Sequence, residues 1–515
     1  MSDAPRRLVP GEIGLGDLRA MWRDPGLGIT LDDSAWPRVD AAAETVEKLV
    51  REGATLYGIT TGFGKLAKTR IGADSVAQLQ TNLVRSHCVG VGDPLPARVV
   101  RLVLVLKVAS LARGHSGIRR DTLAALLRLI DAGAVPIIPA KGSVGASGDL
   151  APLAHLAAVL IGEGEVELAG ERLDGATALA RIGLSPVTLQ AKEGLALLNG
   201  SQVSTALALD GLFQALDAAA AALAAGGLST DACLGTPVAY DPRIQALRGH
   251  PGQIKAAEVL TRLLAGSEIR DSHLACDRVQ DPYSLRCQPQ VMGAVLDQLD
   301  HAAAVLLREA NAVSDNPLVF PDTGEVLSGG NFHAEPVALA ADAIASAMSE
   351  IAALSERRTA LLIDSNFSAL PAFLVAEPGL NSGFMMAQVT AAALASELKQ
   401  RAAPAATDSL PTSGNQEDHV SMATHAARRL GEMAPDLRAV VAIELLAAAQ
   451  GIDFRDPLRT GDALRHAQAA VRARSAFLRQ DRSLAPDIAA VAELIADGWF
   501  FEELLGPEER PLIAE

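Results

Sequence analysis

The chain has 515 residues, 49% hydrophobic and 21% charged, with a mean hydropathy of +0.21. This composition excludes a disordered chain and supplies a large core, with a length prior of roughly three domains or one fused unit. With 45 Lys and Arg against 61 Asp and Glu, the net charge of −16 argues against a nucleic-acid partner.

Cys88, Cys233, Cys276 and Cys287 form no C-x-x-C pair. A zinc ribbon or a disulfide framework is therefore not expected, and a reducing compartment suits the chain. The N-terminus shows no signal-peptide core. The longest uncharged stretch, 378–396, carries Asn381, Ser382, Gln388 and Thr390, and reads as a buried helix rather than a membrane span. A cytoplasmic protein with no membrane partner is the expectation.

In chain order, the first clear element is a helix over 121–133. Asp121 stands as N-cap, Leu123, Leu126, Leu127 and Ile130 form one apolar face, and Gly133 closes the end. Short hairpins are expected at 164–170 and 318–327. Ala- and Leu-rich helices follow at about 201–226, 290–313, 335–364, 383–403, 418–450 and 460–479. Asp210, Asp217, Asp342 and Glu350 within them read as solvent faces or subunit contacts. The expected fold is mainly α: residues 1–200 form a smaller N-terminal region, and 201–515 a long helical bundle with a C-terminal helical region. No βαβ alternation, Gly-rich dinucleotide motif or repeat of 20–50 residues is present.

Dense polar clusters interrupt this helical chain. The first runs Lys141-Gly-Ser-Val-Gly-Ala-Ser-Gly-Asp-Leu-Ala-Pro152. Its plain reading is a Gly-rich turn leading into a helix at Asp149 and Pro152. The chemical reading is self-cyclisation. The Gly148 nitrogen attacks the Ala146 carbonyl and water leaves; Ser147 then loses water. The product is a methylidene-imidazolone (MIO), an electrophilic alkene made from Ala146, Ser147 and Gly148. A helix N-terminus beside it stabilises charge on the ring.

The remaining clusters each have an ordinary structural explanation. Thr55-Leu-Tyr57-Gly-Ile-Thr-Thr-Gly-Phe-Gly64 is a sharply turned loop presenting Tyr57. Ser86-His87-Cys88 offers an isolated histidine. Asn199-Gly-Ser201 suggests an N-cap. Gln280-Asp-Pro-Tyr283-Ser-Leu-Arg286 sets a phenol and a carboxylate-binding fork three residues apart. Phe332 precedes a helix that has Pro336 in its first turn. Ser413-x-x-Gln416 reads as a capping box, with Gln416 and Glu417 in or near the first helical turn. A metal set of Glu417, His419 and His425 lacks the H-E-x-x-H spacing, so no metal is expected.

Taken together, and in this order, these motifs resemble the MIO-dependent aromatic amino acid lyase family from about Tyr57 to about Gln450. The most specific segments are 142–154, 192–200, 280–287 and Asn415-Gln-Glu-Asp-His419. Ser86-His87, Glu417 and the run 280–286 are similar to the histidine branch. Departures are Thr60, Ser201, Gly414 and Leu398-Lys-Gln-Arg401. Thr60 and the run 80–86 also resemble the tyrosine aminomutase branch, which lacks Glu-Asp-His after Asn-Gln.

The resemblance implies a fumarase/aspartase-like helical architecture, a homotetramer with active sites shared between subunits, and deamination of L-histidine to trans-urocanate and ammonia. The alternative is an MIO-dependent tyrosine or phenylalanine ammonia-lyase or aminomutase. It further implies Tyr57 as base, Arg286 on the substrate carboxylate, and Asn199 and Tyr283 near MIO. His87 and Glu417 would face the imidazole, with Glu417 also aiding proton transfer as the alternative to Tyr57; Phe332 and Gln280 would line the site, and no dissociable cofactor is implied. A fumarase-type lyase would need a Gly-Ser-Ser-x-Met-Pro-x-Lys-x-Asn loop, which is absent. A non-catalytic helical scaffold leaves Ala146-Ser147-Gly148 unexplained.

Overall fold

The computed structural model describes residues 5–64, 68–274 and 279–504, so Cys276 lies outside the described residues. Long helices dominate. Gln202–Ala232 forms the axis of the bundle and is buried along its whole length. Ala423–Asp453, Glu335–Ile363 and Gln288–Ala310 pack around it. Its run of alanines favours helix and keeps every face thin enough for close packing. At Gly211 a Cβ would lie 2.5 Å from the Leu430 Cβ, so the crossing with Ala423–Asp453 requires glycine there.

The expected helices and hairpins are present with shifted ends. Helix Arg120–Asp131 starts one residue before Asp121, which lies in its first turn rather than capping it. Glu165–Leu168 pairs antiparallel with Glu171–Asp174, and Leu318–Phe320 with Glu325–Leu327.

The structure corrects three local expectations. Asp210 and Asp217 are buried and paired rather than solvent-facing. Asp217 accepts from Arg19 and Arg23 at 2.5 and 2.6 Å, while Asp210 takes the Trp22 indole N–H at 2.7 Å and Arg98 at 2.6 Å. Asp342 likewise binds Arg429 and the backbone N–H groups of Ala405 and Ala406, and only Glu350 is exposed. A lone carboxylate inside an apolar helix needs a cation or donor from another element, and helical spacing does not reveal one.

The uncharged stretch 378–396 is not a buried helix. Helix Met385–Arg401 buries only Ala387, Ala391, Ala395 and Leu398, and leaves Met386 and Val389 exposed. The two helices whose length and hydropathy would suit a membrane, Gln202–Ala232 and Glu335–Ile363, instead pack in the bundle.

The capping box at Ser413 is the third correction. Ser413, Gly414 and Asn415 all have positive φ, so the chain turns back on itself and pairs Thr412 with Glu417. The helix begins only at Ala423.

Candidate active site

The tripeptide Ala146-Ser147-Gly148 stands immediately before helix Leu150–Leu160. Gly148 has φ +70, and a Cβ there would sit 2.2 Å from the Gly200 carbonyl oxygen. Only glycine fits this close approach. Gly148 and Gly200 form a parallel bridge, and the Asp149 N–H donates to the Gly200 carbonyl at 2.7 Å. The Asn199 side-chain amide donates to the Ser147 carbonyl at 2.9 Å.

Asp149 is fully buried and does not cap its helix. Its carboxylate accepts from the Ser143 hydroxyl at 2.9 Å, the Ser204 N–H and hydroxyl at 2.7 and 2.9 Å, and the Thr424 hydroxyl at 2.6 Å. Further along the loop, the Gly145 carbonyl accepts from the Ser421 hydroxyl at 3.1 Å, and the Val144 carbonyl from the Met422 N–H at 2.8 Å. Two distant segments, 199–204 and 421–424, therefore clamp the loop on both sides of the tripeptide.

Beneath Asn199 lies a residue that motif reading missed. The Lys107 ammonium donates to the Asn199 carbonyl at 2.7 Å. Complete burial pushes its pKa down to about 7; Asp315 opposes the shift, Lys192 adds to it and Asp149 opposes it. The available signal was a lone lysine inside the apolar run 99–111.

Ser147 faces a cavity of about 870 Å³ whose walls include Tyr57, Phe63, His87, Asn199, Phe332 and Glu417. This is the size of a small-molecule site. The Ser147 hydroxyl donates to Glu417 at 2.7 Å. The other Glu417 oxygen accepts from the Thr412 and Ser413 hydroxyls at 2.5 and 2.9 Å, so the turn that replaces the expected helix start serves to hold this carboxylate. Burial works to raise the Glu417 pKa, but the hydroxyls of Thr412, Ser147 and Ser413, with the charge of His87, outweigh it and hold it below the ordinary value.

His87 ends helix Val76–His87. Its Nδ1 lies 2.8 Å from the Leu83 carbonyl. A carbonyl only accepts, so the proton sits on Nδ1 and Nε2 keeps its lone pair. Burial lowers the His87 pKa, against the Leu83 carbonyl and the Glu417 charge, which favours this neutral form. The Tyr57 hydroxyl accepts the Gly64 N–H at 3.0 Å, and the ring meets Phe63 edge-on. Thr60 donates to the Ala54 carbonyl at 2.7 Å and accepts the Leu56 N–H at 2.9 Å. Its departure from the histidine-branch pattern thus falls on a loop-closing residue outside the cavity wall.

Gln280, Tyr283 and Arg286 are not on this cavity wall. Tyr283 and Arg286 occupy a short turn ahead of helix Gln288–Ala310, where Tyr283 is 70% exposed and the Arg286 guanidinium lies 4.8 Å from its ring. One chain therefore gathers Tyr57, His87, Ser147, Asn199, Phe332 and Glu417, and leaves the 280–286 cluster elsewhere. Among the described residues, the histidines and carboxylate that converge are His333, Glu335 and His419, rather than the set of Glu417, His419 and His425.

Comparison with known proteins places this geometry. The family model "Aromatic amino acid lyase" matches residues 13–473. A histidine ammonia-lyase of Burkholderia lata is 59% identical over 96% of this chain and 97% of its own. The crystal structure of histidine ammonia-lyase from Trypanosoma cruzi superposes with a TM-score of 0.90 at 40% identity, covering 99% of this chain and 96% of that one. Tyrosine aminomutase from Streptomyces globisporus gives a TM-score of 0.91 at 34% identity, covering 96% and 98%. On the strength of the matched segment and these relatives, the chain belongs to the aromatic amino acid lyase family.

Proposed function

We propose that this chain is an ammonia-lyase that converts L-histidine to trans-urocanate and ammonia, with MIO formed from Ala146, Ser147 and Gly148. The observation that carries the reading is the juxtaposition of this tripeptide, in a cradle only glycine fits, with His87 and Glu417 across one cavity. The high identity to histidine ammonia-lyases supports the substrate. The ring fits the residues present: Gly148 leaves its nitrogen unhindered, and Asn199 already binds the central carbonyl. MIO supplies an alkene that takes up the substrate amine and makes it a better leaving group.

The chain's own residues do the rest. The β-proton is barely acidic, so a positioned base is needed; Tyr57 on the cavity wall is placed for it. Imidazole carries one donor and one acceptor nitrogen. His87 and Glu417 supply complementary groups, which an apolar pair would not. Asn199, braced by Lys107, holds the tripeptide. Phe332 closes one wall and keeps water from the reacting centre.

Arg286 is suited to the substrate carboxylate and Tyr283 to its amine end, with Gln280 alongside. Since one chain holds them away from its own cavity, we read the working protein as a homotetramer in which another copy supplies this cluster. Purified protein should convert L-histidine to a near-UV-absorbing product, and Ser147→Ala should abolish the conversion. If histidine is inert while tyrosine yields coumarate or β-tyrosine, the substrate assignment fails.

A further inference from the structure

We propose that Lys107 is a positioning residue for ring formation: from behind the 199–202 segment it fixes the Asn199–Gly200 peptide against the tripeptide, so that the Gly148 nitrogen meets the Ala146 carbonyl. The inference rests on the MIO reading above and adds to it a residue that lies outside the cavity wall.

The chemistry sets the demand. The Gly148 nitrogen forms a bond to the Ala146 carbonyl carbon, and the carbonyl oxygen leaves as water with the amide protons of Gly148 and Ser147. A second water takes the Ser147 hydroxyl and the Ser147 α-proton, which leaves the alkene. No oxidant or co-reactant enters. An amide nitrogen is a poor nucleophile and an amide carbonyl a poor electrophile, so their close approach has to come from the fold.

Residues Asn199 and Gly200 supply that approach. The Asn199 side-chain amide donates to the Ser147 carbonyl at 2.9 Å, and the Gly200 carbonyl accepts the Asp149 N–H at 2.7 Å. These two bonds hold the peptide groups on either side of Gly148. The Gly200 backbone lies so near that a Cβ on Gly148 would stand 2.2, 2.4 and 2.6 Å from its O, C and N atoms. Any shift of the Asn199–Gly200 backbone therefore moves Gly148.

Lys107 holds that backbone from the other side. Its side-chain nitrogen donates to the Asn199 carbonyl at 2.7 Å and lies 3.4 Å from the Gln202 Oε1, so it spans Gly200 and Ser201. Gln202 is fixed in turn by donating to the Ser314 hydroxyl at 3.0 Å. Lys107 projects from helix Ala97–Leu111, which is buried from Val99 onward and gives it a rigid base. Lys192, equally buried, is paired with Asp315 at 2.6 Å, whereas Lys107 makes no ion pair among the described residues. Burying an amine against neutral oxygens is unfavourable. An apolar side chain would fill the same space without that cost, so the return lies in the geometry at Asn199. Charged or neutral, the amine keeps an N–H for the Asn199 carbonyl.

The test follows ring formation itself. The full chain is made by cell-free synthesis, stopped with acid at intervals, and the peptide spanning Ala146 to Gly148 is weighed. The control is Val105→Ala, a buried position about 200° round the same helix, which costs stability without touching Asn199. Wild type and Val105→Ala should lose two waters at the same rate. Lys107→Met, shown to be folded by circular dichroism, should lose them on the order of tenfold more slowly or worse. If Lys107→Met does not fold, Lys107→Gln, which keeps a neutral donor on a shorter stem, decides by the same rate. A folded Lys107 variant that loses both waters at the wild-type rate overturns the proposal. Equal slowing in Val105→Ala also overturns it, because the effect would then be one of stability. A wild-type chain that never loses the waters overturns the MIO reading instead, and this proposal with it.

Discussion

Tyr57 shows how a single side chain acquires a role from its surroundings. In the sequence it is one of three tyrosines, set in a glycine-rich loop. In the fold its ring is fixed edge-on to Phe63, and its hydroxyl accepts a backbone N–H on the wall that Ser147 also faces. Tyr57→Phe should keep the protein folded and leave KM for histidine within a few-fold, while kcat falls on the order of 10²–10⁴-fold, the range for loss of a positioned acid or base. Steady-state kinetics decides it, and unchanged kcat removes Tyr57 from the base role. His87, Asn199 and Glu417 were legible as candidates because residue type and motif order mark them. Asp149 and Thr412 were not. In the sequence Asp149 only marks the start of a helix, yet its carboxylate ties together Ser143, Ser204 and Thr424, contacts that span far more chain than any local motif.

Elements were easier to read than their ends and environments. Ala and Leu runs mark the helices of the bundle well, because propensity and apolar content agree there. Whether a helix lies inside or on the surface depends on what packs against it. That is why 378–396 misleads and why Asp210 and Asp217 find cations the sequence does not announce. The capping box failed for another reason: three consecutive positive φ values at Ser413–Asn415 build a turn that serves Glu417 rather than a helix.

Helix Ala97–Leu111 carries an element-level consequence of its own. It buries Lys107 completely beneath Asn199, with a pKa of about 7 against an ordinary 10.5. Between those values the unfolded chain holds a proton that the folded chain has released, so this group makes stability rise with pH across about 7 to 10.5. Below that window both states are protonated and the group adds no slope. Lys107→Met should therefore flatten the curve: relative to wild type, the variant is most favoured near pH 7 and progressively less so toward pH 10. Denaturant midpoints of both proteins across that range check the sign, and a constant difference between them contradicts it.

For the whole molecule, the main question is how a site is completed. A single chain presents Tyr283 and Arg286 away from the cavity, and exposes Met386 and Val389 on a helix otherwise rich in small apolar residues. Both features suit burial against other copies of the chain. If sites are shared, co-expressing Ser147→Ala with Arg286→Ala should restore part of the activity each variant lacks alone. Mixed oligomers would then join an intact Ser147 of one copy to an intact Arg286 of another. Oligomers shown to be mixed but inactive would place the carboxylate-binding group elsewhere.

The central claim concerns three residues and two molecules of water. The most direct measurement is the mass of the proteolytic peptide that spans Ala146, Ser147 and Gly148, taken from active wild-type protein. Cyclisation and dehydration predict a peptide lighter than the linear sequence by two waters, with Ser147→Ala failing to show that loss. A wild-type peptide of full linear mass, from protein that still deaminates histidine, would contradict the account.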